Sequence, residues 1–218
     1  MLDMRITRGT SLAIVSLLLI GGIAIAGNFA LRNTGNIPLE LAGIAIAKPL
    51  LLDRREFRSA RGKIVFPIIG RSKFTFLSIG YAHCPDICPF ILGNLAEVEA
   101  HMKRDLPDGG LPRFVFLSVD PQRDSPEFLE GYAKHFSDRL VGLTGESSTI
   151  DSLIQQLGAF YSIGKTDGDG FYSVDHSAEV FLIDPQGRLF AKFEPPLDPA
   201  VTTARFQIAK NFYQMSQH

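Results

Sequence analysis

The segment FTFLSIGYAHCPDICP, residues 74–89, decides the fold of this chain. Its first seven residues are aromatic, aliphatic or hydroxyl-bearing and end in a glycine, which is typical of a buried strand. From residue 87 to residue 104 apolar residues recur every three or four positions, which predicts an amphipathic helix. The only two cysteines of the chain, Cys84 and Cys88, therefore lie where this strand passes into this helix.

The rest of the chain alternates strands and helices around this segment, with capping and turn residues between them. In chain order the further predicted elements are a strand at 113–119, a helix from Ser125, a strand at 140–143, a helix from Ser148 to about Tyr161, strands at 179–183 and 188–193, and a helix from Asp198. Residues 53–63 are charged and are expected to form an exposed turn region. This order predicts an α/β, thioredoxin-like sandwich in which helices cover both faces of a mixed central sheet.

The first 35 residues differ from the rest of the chain. Residues 9–31 contain no charged residue, a length that at ~1.5 Å per residue crosses a bilayer core of ~30 Å. Arg5 and Arg8 favour a cytoplasmic N-terminus, which places the rest of the chain outside the cytoplasm. The alternative is a cleaved signal peptide, because Ala24-Ile25-Ala26 has the form of a cleavage site.

We therefore expect four regions and a protein of the bacterial cytoplasmic membrane. They are a short cytoplasmic tail (1–8), a single transmembrane anchor (9–31), a linker and edge segment (32–52) and the thioredoxin-like domain (53–218). The chain has 22 basic and 23 acidic residues and a net charge of −1. Such a balance provides no overall basic field that would attract nucleic acid.

The spacing of Cys84 and Cys88 is one helical turn, with Cα atoms roughly 6 Å apart. The pair is therefore compatible with a dithiol, a disulfide or two metal ligands. Because helix N-termini stabilise anions, we expect these thiols to ionise more readily than an ordinary cysteine. A structural disulfide here would close a very short loop and constrain little of the unfolded chain, which favours a redox pair or a metal site.

Three motifs of the chain resemble those of the Sco/SenC family of copper-binding cytochrome c oxidase assembly proteins. They are GYAHCPDICP at residues 80–89, SVDPQRD at residues 118–124 and DHS at residues 175–177. The motifs occur in the order found in the family, and the resemblance covers residues 74–193. The predicted anchor also fits the family.

The resemblance implies that Cys84, Cys88 and His176 bind copper, as Cu(I) and also as Cu(II). It implies a membrane-tethered copper metallochaperone that helps to build the binuclear copper centre of cytochrome c oxidase, and it leaves a thiol–disulfide oxidoreductase activity open. Its expected partners are the copper-bearing subunit of the oxidase and other copper-delivery or thiol-redox proteins. We expect copper to be exchanged from thiolates that are accessible, with His176 following a mobile, glycine-rich loop at residues 164–170.

Other functions use the same cysteines. In a thiol–disulfide oxidoreductase that reduces the cysteines of the oxidase copper site, Cys84 and Cys88 would be the catalytic pair. A copper or redox sensor would have the same sequence. A peroxidase is disfavoured, because Tyr81 stands three residues before Cys84, where a threonine activates a peroxidatic cysteine.

Several residues beside the donors have two interpretations each. Asp175 is a candidate to orient His176, and His83 is either an outer partner of the site or a polar residue at a strand end. Asp86 either tunes the local charge or caps the helix. Asp120 and Arg123 either pair to hold the loop beside the site or cap a turn.

Overall fold

The computed structural model describes residues 37–70, 73–106, 110–168 and 170–217. The strands are β1 (Ala45–Leu51), β2 (Arg55–Ser59), β3 (Gly62–Phe66), β4 (Thr75–Gly80), β5 (Arg113–Ser118), β6 (Leu140–Leu143), β7 (Tyr161–Ile163), β8 (Val174–His176), β9 (Val180–Ile183) and β10 (Arg188–Phe193). The helices are α1 (Ile87–Asp105), α2 (Pro126–Phe136), α3 (Ser147–Leu157) and α4 (Pro199–Met215). The predicted tail and anchor lie outside the described residues. Within the described ranges, no helix combines the length and hydropathy needed to cross a bilayer.

Six strands form the central sheet in the order β1-β10-β9-β4-β5-β6. Strands β4, β5 and β6 run parallel to one another. Strand β9 is antiparallel to both β4 and β10, and β1 is antiparallel to β10. The predicted parallel unit and antiparallel hairpin therefore share one sheet, and the mixed α/β fold is confirmed.

Helices cover both faces of this sheet. Helices α1, α2 and α4 pack on one face around Phe76, which is fully buried and stacks on Phe114 with 5.6 Å between ring centroids. Helix α3 packs on the other face together with the β2–β3 hairpin. Burial of apolar surface is the dominant favourable term in folding, and on both faces it fixes the strands whose ends carry the candidate site.

The prediction of an exposed turn region at residues 53–63 was wrong. Strands β2 and β3 pair there in a continuous antiparallel register. Phe57 is buried and meets Phe66 edge-on, with 6.1 Å between ring centroids, whereas Glu56 and Arg58 are exposed. The charges belong to the solvent face of a hairpin whose other face is buried.

Helix α3 ends earlier than predicted. It stops at Leu157 because Gly158 adopts a left-handed conformation, with φ 62°, that most residues avoid. The chain then enters β7, which pairs with β8 so that Tyr161 lies opposite His176. The early end of the helix thereby provides the strand that supports His176.

The carboxyl ends of β4 and β5 lie side by side at one edge of the sheet. The two strands are parallel, and their last residues, Gly80 and Ser118, are paired. The connections at residues 81–86 and 119–125 therefore leave the sheet next to each other. The first of them carries Cys84, so the second is placed to support it.

Candidate metal centre

Cys84 and Cys88 lie at the junction of β4 and α1. Cys84 follows a turn in which its N–H donates to the Tyr81 carbonyl oxygen at 3.2 Å. Cys88 lies in the first turn of α1, and its N–H donates to Cys84 Sγ at 3.5 Å. Cys88 is 1% exposed, whereas Cys84 is only partly buried, and both thiols are free. The pair therefore offers one thiol toward solvent and keeps the other inside.

His176 approaches the pair from β8, and its Nε2 lies 3.1 Å from Cys88 Sγ. Its Nδ1 lies 2.8 Å from the Ser177 carbonyl oxygen. Because a carbonyl only accepts hydrogen bonds, Nδ1 carries the proton and Nε2 presents its lone pair to the thiols. The donor atoms of Cys84, Cys88 and His176 all lie within 4.8 Å of one another. The structure thus brings together the three residues that the sequence singles out as ligands.

An aromatic wall supports this group from the interior. Tyr81 is buried and meets the His176 ring edge-on, with 6.1 Å between ring centroids. Burial raises the pKa of Tyr81, so its hydroxyl stays neutral around physiological pH. Tyr81 shields one side of the group, and Cys84 and His176 remain partly exposed.

Burial also raises the pKa of the Cys88 thiol, and the neighbouring Cys84 raises it further. The expectation that the helix N-terminus would promote ionisation of both thiols was therefore wrong for Cys88. Loss of solvent is the largest cause of this raised pKa. A thiol ligates a metal only after losing its proton, so a bound cation would take the place of the Cys88 proton.

The structure reassigns three of the predicted neighbours. Asp175 is exposed, and the Ser177 carbonyl orients His176 in its place. Asp86 stands at the N-cap of α1 but makes no capping hydrogen bond through its side chain. His83 binds Asp124 through Nδ1 at 2.9 Å and is not part of the donor group.

Gly80 is a site residue that the sequence interpretation treated only as part of a motif. A Cβ at this position would lie 2.5 Å from Cys88 Sγ, 3.0 Å from Phe116 Cε2 and 3.5 Å from His176 Cε1. Only a hydrogen atom fits between these groups without displacing one of them. The glycine at the end of the predicted strand was the available sequence signal. Why a glycine is needed there depends on a tertiary contact, the close approach of β8.

A family model described as SCO1/SenC matches residues 56–210. The chain belongs to the SCO1/SenC family. The matched range contains all three motifs and all three donor residues, so the resemblance seen in the sequence is confirmed.

This SCO1/SenC chain is similar to a human relative and to structures from two other organisms. "Protein SCO2 homolog, mitochondrial" from Homo sapiens is 37% identical over 139 residues, which cover 63% of this chain and 49% of that protein. The chain spans about half the length of the curated relatives that it matches. Arabidopsis thaliana ScoI with copper bound has a TM-score of 0.62 and 30% identity, covering 77% of this chain and 98% of that chain. Bradyrhizobium japonicum ScoI with copper bound has a TM-score of 0.63 and 27% identity, covering 72% and 99%.

Replacing Gly80 with alanine is expected to lower the free energy of unfolding by about 1–3 kcal/mol, because the new methyl group must displace Cys88 or its neighbours. Chemical denaturation measures this loss. Gly93→Ala is the matched control, since a Cβ at Gly93 in α1 meets no atom of the described residues within 4 Å. Alanine there should stabilise the helix by up to about 1 kcal/mol. Equal changes in the two variants would contradict the close approach at Gly80.

Cys84 is expected to react with iodoacetamide faster than Cys88 at neutral pH. Only the thiolate is nucleophilic, and Cys88 is buried with a raised pKa. Each unit by which a pKa is raised lowers the thiolate fraction about tenfold, so we expect a ratio above tenfold. Peptide mass spectrometry of the reduced, metal-free protein measures both rates, and labelling of Cys88 should rise into the alkaline range. Similar rates at neutral pH would contradict the unequal burial.

Proposed function

We propose that this chain is a copper metallochaperone that helps to assemble the binuclear copper centre of cytochrome c oxidase. The observation that carries the proposal is the convergence of Cys84 Sγ, Cys88 Sγ and a ring nitrogen of His176 within 4.8 Å. Two thiolates and one imidazole suit soft Cu(I), and the same donors can hold Cu(II). The copper-bound ScoI structures support the metal, and membership of a family of cytochrome c oxidase assembly proteins supports the process.

The three candidate copper ligands are unequally buried, and this sets the order in which an acceptor protein can replace them. Cys84 and His176 are the partly buried ligands, so a ligand of an acceptor protein reaches the copper ion beside one of them first. Cys88 is the buried ligand and would hold the ion while Cys84 or His176 is replaced. Copper is then never released to solvent, because each old bond breaks only after a new ligand has bound.

We further propose that the protein acts outside the cytoplasm, tethered to a bacterial cytoplasmic membrane by residues 9–31. The uncharged length of that segment and the preceding Arg5 and Arg8 support this topology. The partners would be the copper-bearing subunit of the oxidase and a protein that delivers copper or reduces thiols. A tether would keep the site close to an oxidase in the same membrane.

A thiol–disulfide oxidoreductase is the second candidate, favoured by one accessible and one buried thiol. The Cys84 thiolate would attack a disulfide of the oxidase subunit, forming a mixed disulfide and releasing one thiolate of that subunit. Cys88 would then lose its proton and attack Cys84 Sγ, releasing the second thiolate. The partner disulfide gains two electrons, and Cys84 and Cys88 become a disulfide. This reaction needs no copper and does not use His176 as a ligand.

Titration of Cu(I) against a competing chelator is expected to find one tightly bound ion per reduced chain. The double variant Cys84→Ser/Cys88→Ser should lose this binding. His176→Ala should weaken it by about 10–100-fold, because one of three donors is gone. His135→Ala is the matched control, since His135 is exposed on α2 and outside the donor group, and it should bind copper like the wild type.

Negligible Cu(I) binding by the wild type would overturn the metallochaperone proposal and leave disulfide exchange as the function to pursue. Unchanged affinity in His176→Ala would remove the third ligand. The oxidoreductase is tested with a disulfide-bonded peptide carrying the cysteines of an oxidase copper site. Reduction of that peptide at the wild-type rate by His176→Ala, without copper, would favour the second candidate.

A further inference from the structure

Residues 119–125, which connect β5 to α2, contact both of the segments that carry the candidate ligands. On the cysteine side, Asp124 is fully buried, and its Oδ2 accepts a hydrogen bond from the Ala82 N–H at 2.8 Å. Its Oδ1 lies 2.9 Å from His83 Nδ1. Asp124 thereby holds the two residues that precede Cys84.

On the histidine side, Asp120 and Arg123 hold Tyr172, four residues before His176. Arg123 Nη1 donates to the Tyr172 carbonyl oxygen at 2.9 Å, and the guanidinium carbon lies 3.5 Å from the centre of the Tyr172 ring. The Tyr172 hydroxyl donates to Asp120 Oδ1 at 2.8 Å, and Asp120 Oδ2 accepts from Arg123 Nε. These three side chains form a closed ring of contacts, which we call the Tyr172 latch.

We propose that the Tyr172 latch positions His176 over the two thiols, and that opening the latch frees the histidine without disturbing Cys84 and Cys88. The inference rests on the copper site proposed above. Strand β8 begins two residues after Tyr172 and ends at His176, so fixing one end of this short extended segment fixes the other. The side chains of Asp120, Arg123 and Tyr172 do not belong to the group of candidate metal ligands. They act as positioning residues.

One feature of the Tyr172 latch favours its opening, and another favours its closure. Arg123 Nη2 is buried and has no hydrogen-bond partner among the described residues, and such an N–H group regains hydrogen bonds when it meets water. Opening is therefore easier than in a network whose donors are all satisfied. Asp120 is fully buried, however, and a buried carboxylate needs its cationic partner, which favours closure. This balance suits a ligand that must be held during storage and released during transfer.

Three variants separate the latch from general stability. Tyr172→Phe removes only the hydroxyl that binds Asp120 and keeps the ring beside the guanidinium group. Arg123→Lys keeps a positive charge near Asp120 but loses the planar fork and its stacking. Tyr213→Phe is the control, since it removes a tyrosine hydroxyl on α4, outside both the latch and the β7–β8 pair.

Hydrogen–deuterium exchange of the metal-free full chain tests whether the latch holds the histidine segment without affecting the cysteine segment. We expect residues 170–177 to exchange faster in both latch variants, with residues 84–92 unchanged, and the control to match the wild type in both segments. In Cu(I) titrations Arg123→Lys should lower the affinity about tenfold. When Tyr172→Phe is combined with His176→Ala, no further loss of affinity is expected, because the removed hydroxyl binds Asp120 and not the cysteine segment.

Wild-type exchange of residues 170–177 in both latch variants would overturn the inference. A loss of copper affinity that adds in full to the loss in His176→Ala would also overturn it, since the latch residues would then act on the thiols or on the fold. If the wild-type chain binds no Cu(I), the proposed function fails on its own, and the exchange measurement still decides whether the latch holds the histidine segment.

Discussion

The close approach of three chain segments at Gly80 is the constraint on which the rest of the site depends. A Cβ on this residue would lie 2.5 Å from Cys88 Sγ and 3.5 Å from His176 Cε1, so the backbone of β4 is itself one wall of the site. The first turn of α1 rests on that wall from one side, and β8 reaches it from another. Residues that are 88 positions apart in the chain thereby meet at 3.1 Å. The two cores of the sheet hold these segments in place, because β4 is buried along its whole length and α1 buries one face.

Two buried carboxylates organise the outer part of the site. Asp120 and Asp124 are fully buried, and burial of a charge is costly unless the charge is paired and hydrogen-bonded. Asp124 meets this need with groups next to Cys84, and Asp120 meets it with Arg123 and Tyr172. The hydrogen bonds that each buried carboxylate requires therefore fix the position of one of the ligand-bearing segments. Stability and function draw here on the same hydrogen bonds.

Much of this arrangement could be predicted from the sequence, because its signals are local. The strand before Cys84 is a continuous apolar run, and the donors lie in short motifs that the family shares. Features that depend on tertiary contacts were not predictable. Asp175 was a candidate to orient His176 because the two are adjacent, but neighbouring side chains of a strand point to opposite faces. The position of Cys88 in the first turn of a helix was expected to lower its pKa, but burial raises that pKa. The sequence pattern gives no sign of this burial. The burial of Phe57 was likewise not predicted, because its neighbours in the sequence are charged.

X-ray absorption at the copper K-edge is the most direct test of whether Cys84, Cys88 and His176 bind one ion together. The spectrum of the Cu(I)-loaded protein counts the ligands and distinguishes sulfur from imidazole. Two sulfur ligands and one imidazole per copper are expected, and the imidazole contribution should disappear in His176→Ala while both sulfur ligands remain. A wild-type spectrum with two sulfur ligands and no imidazole, or with additional sulfur from a second chain, would contradict a three-donor site built by one chain.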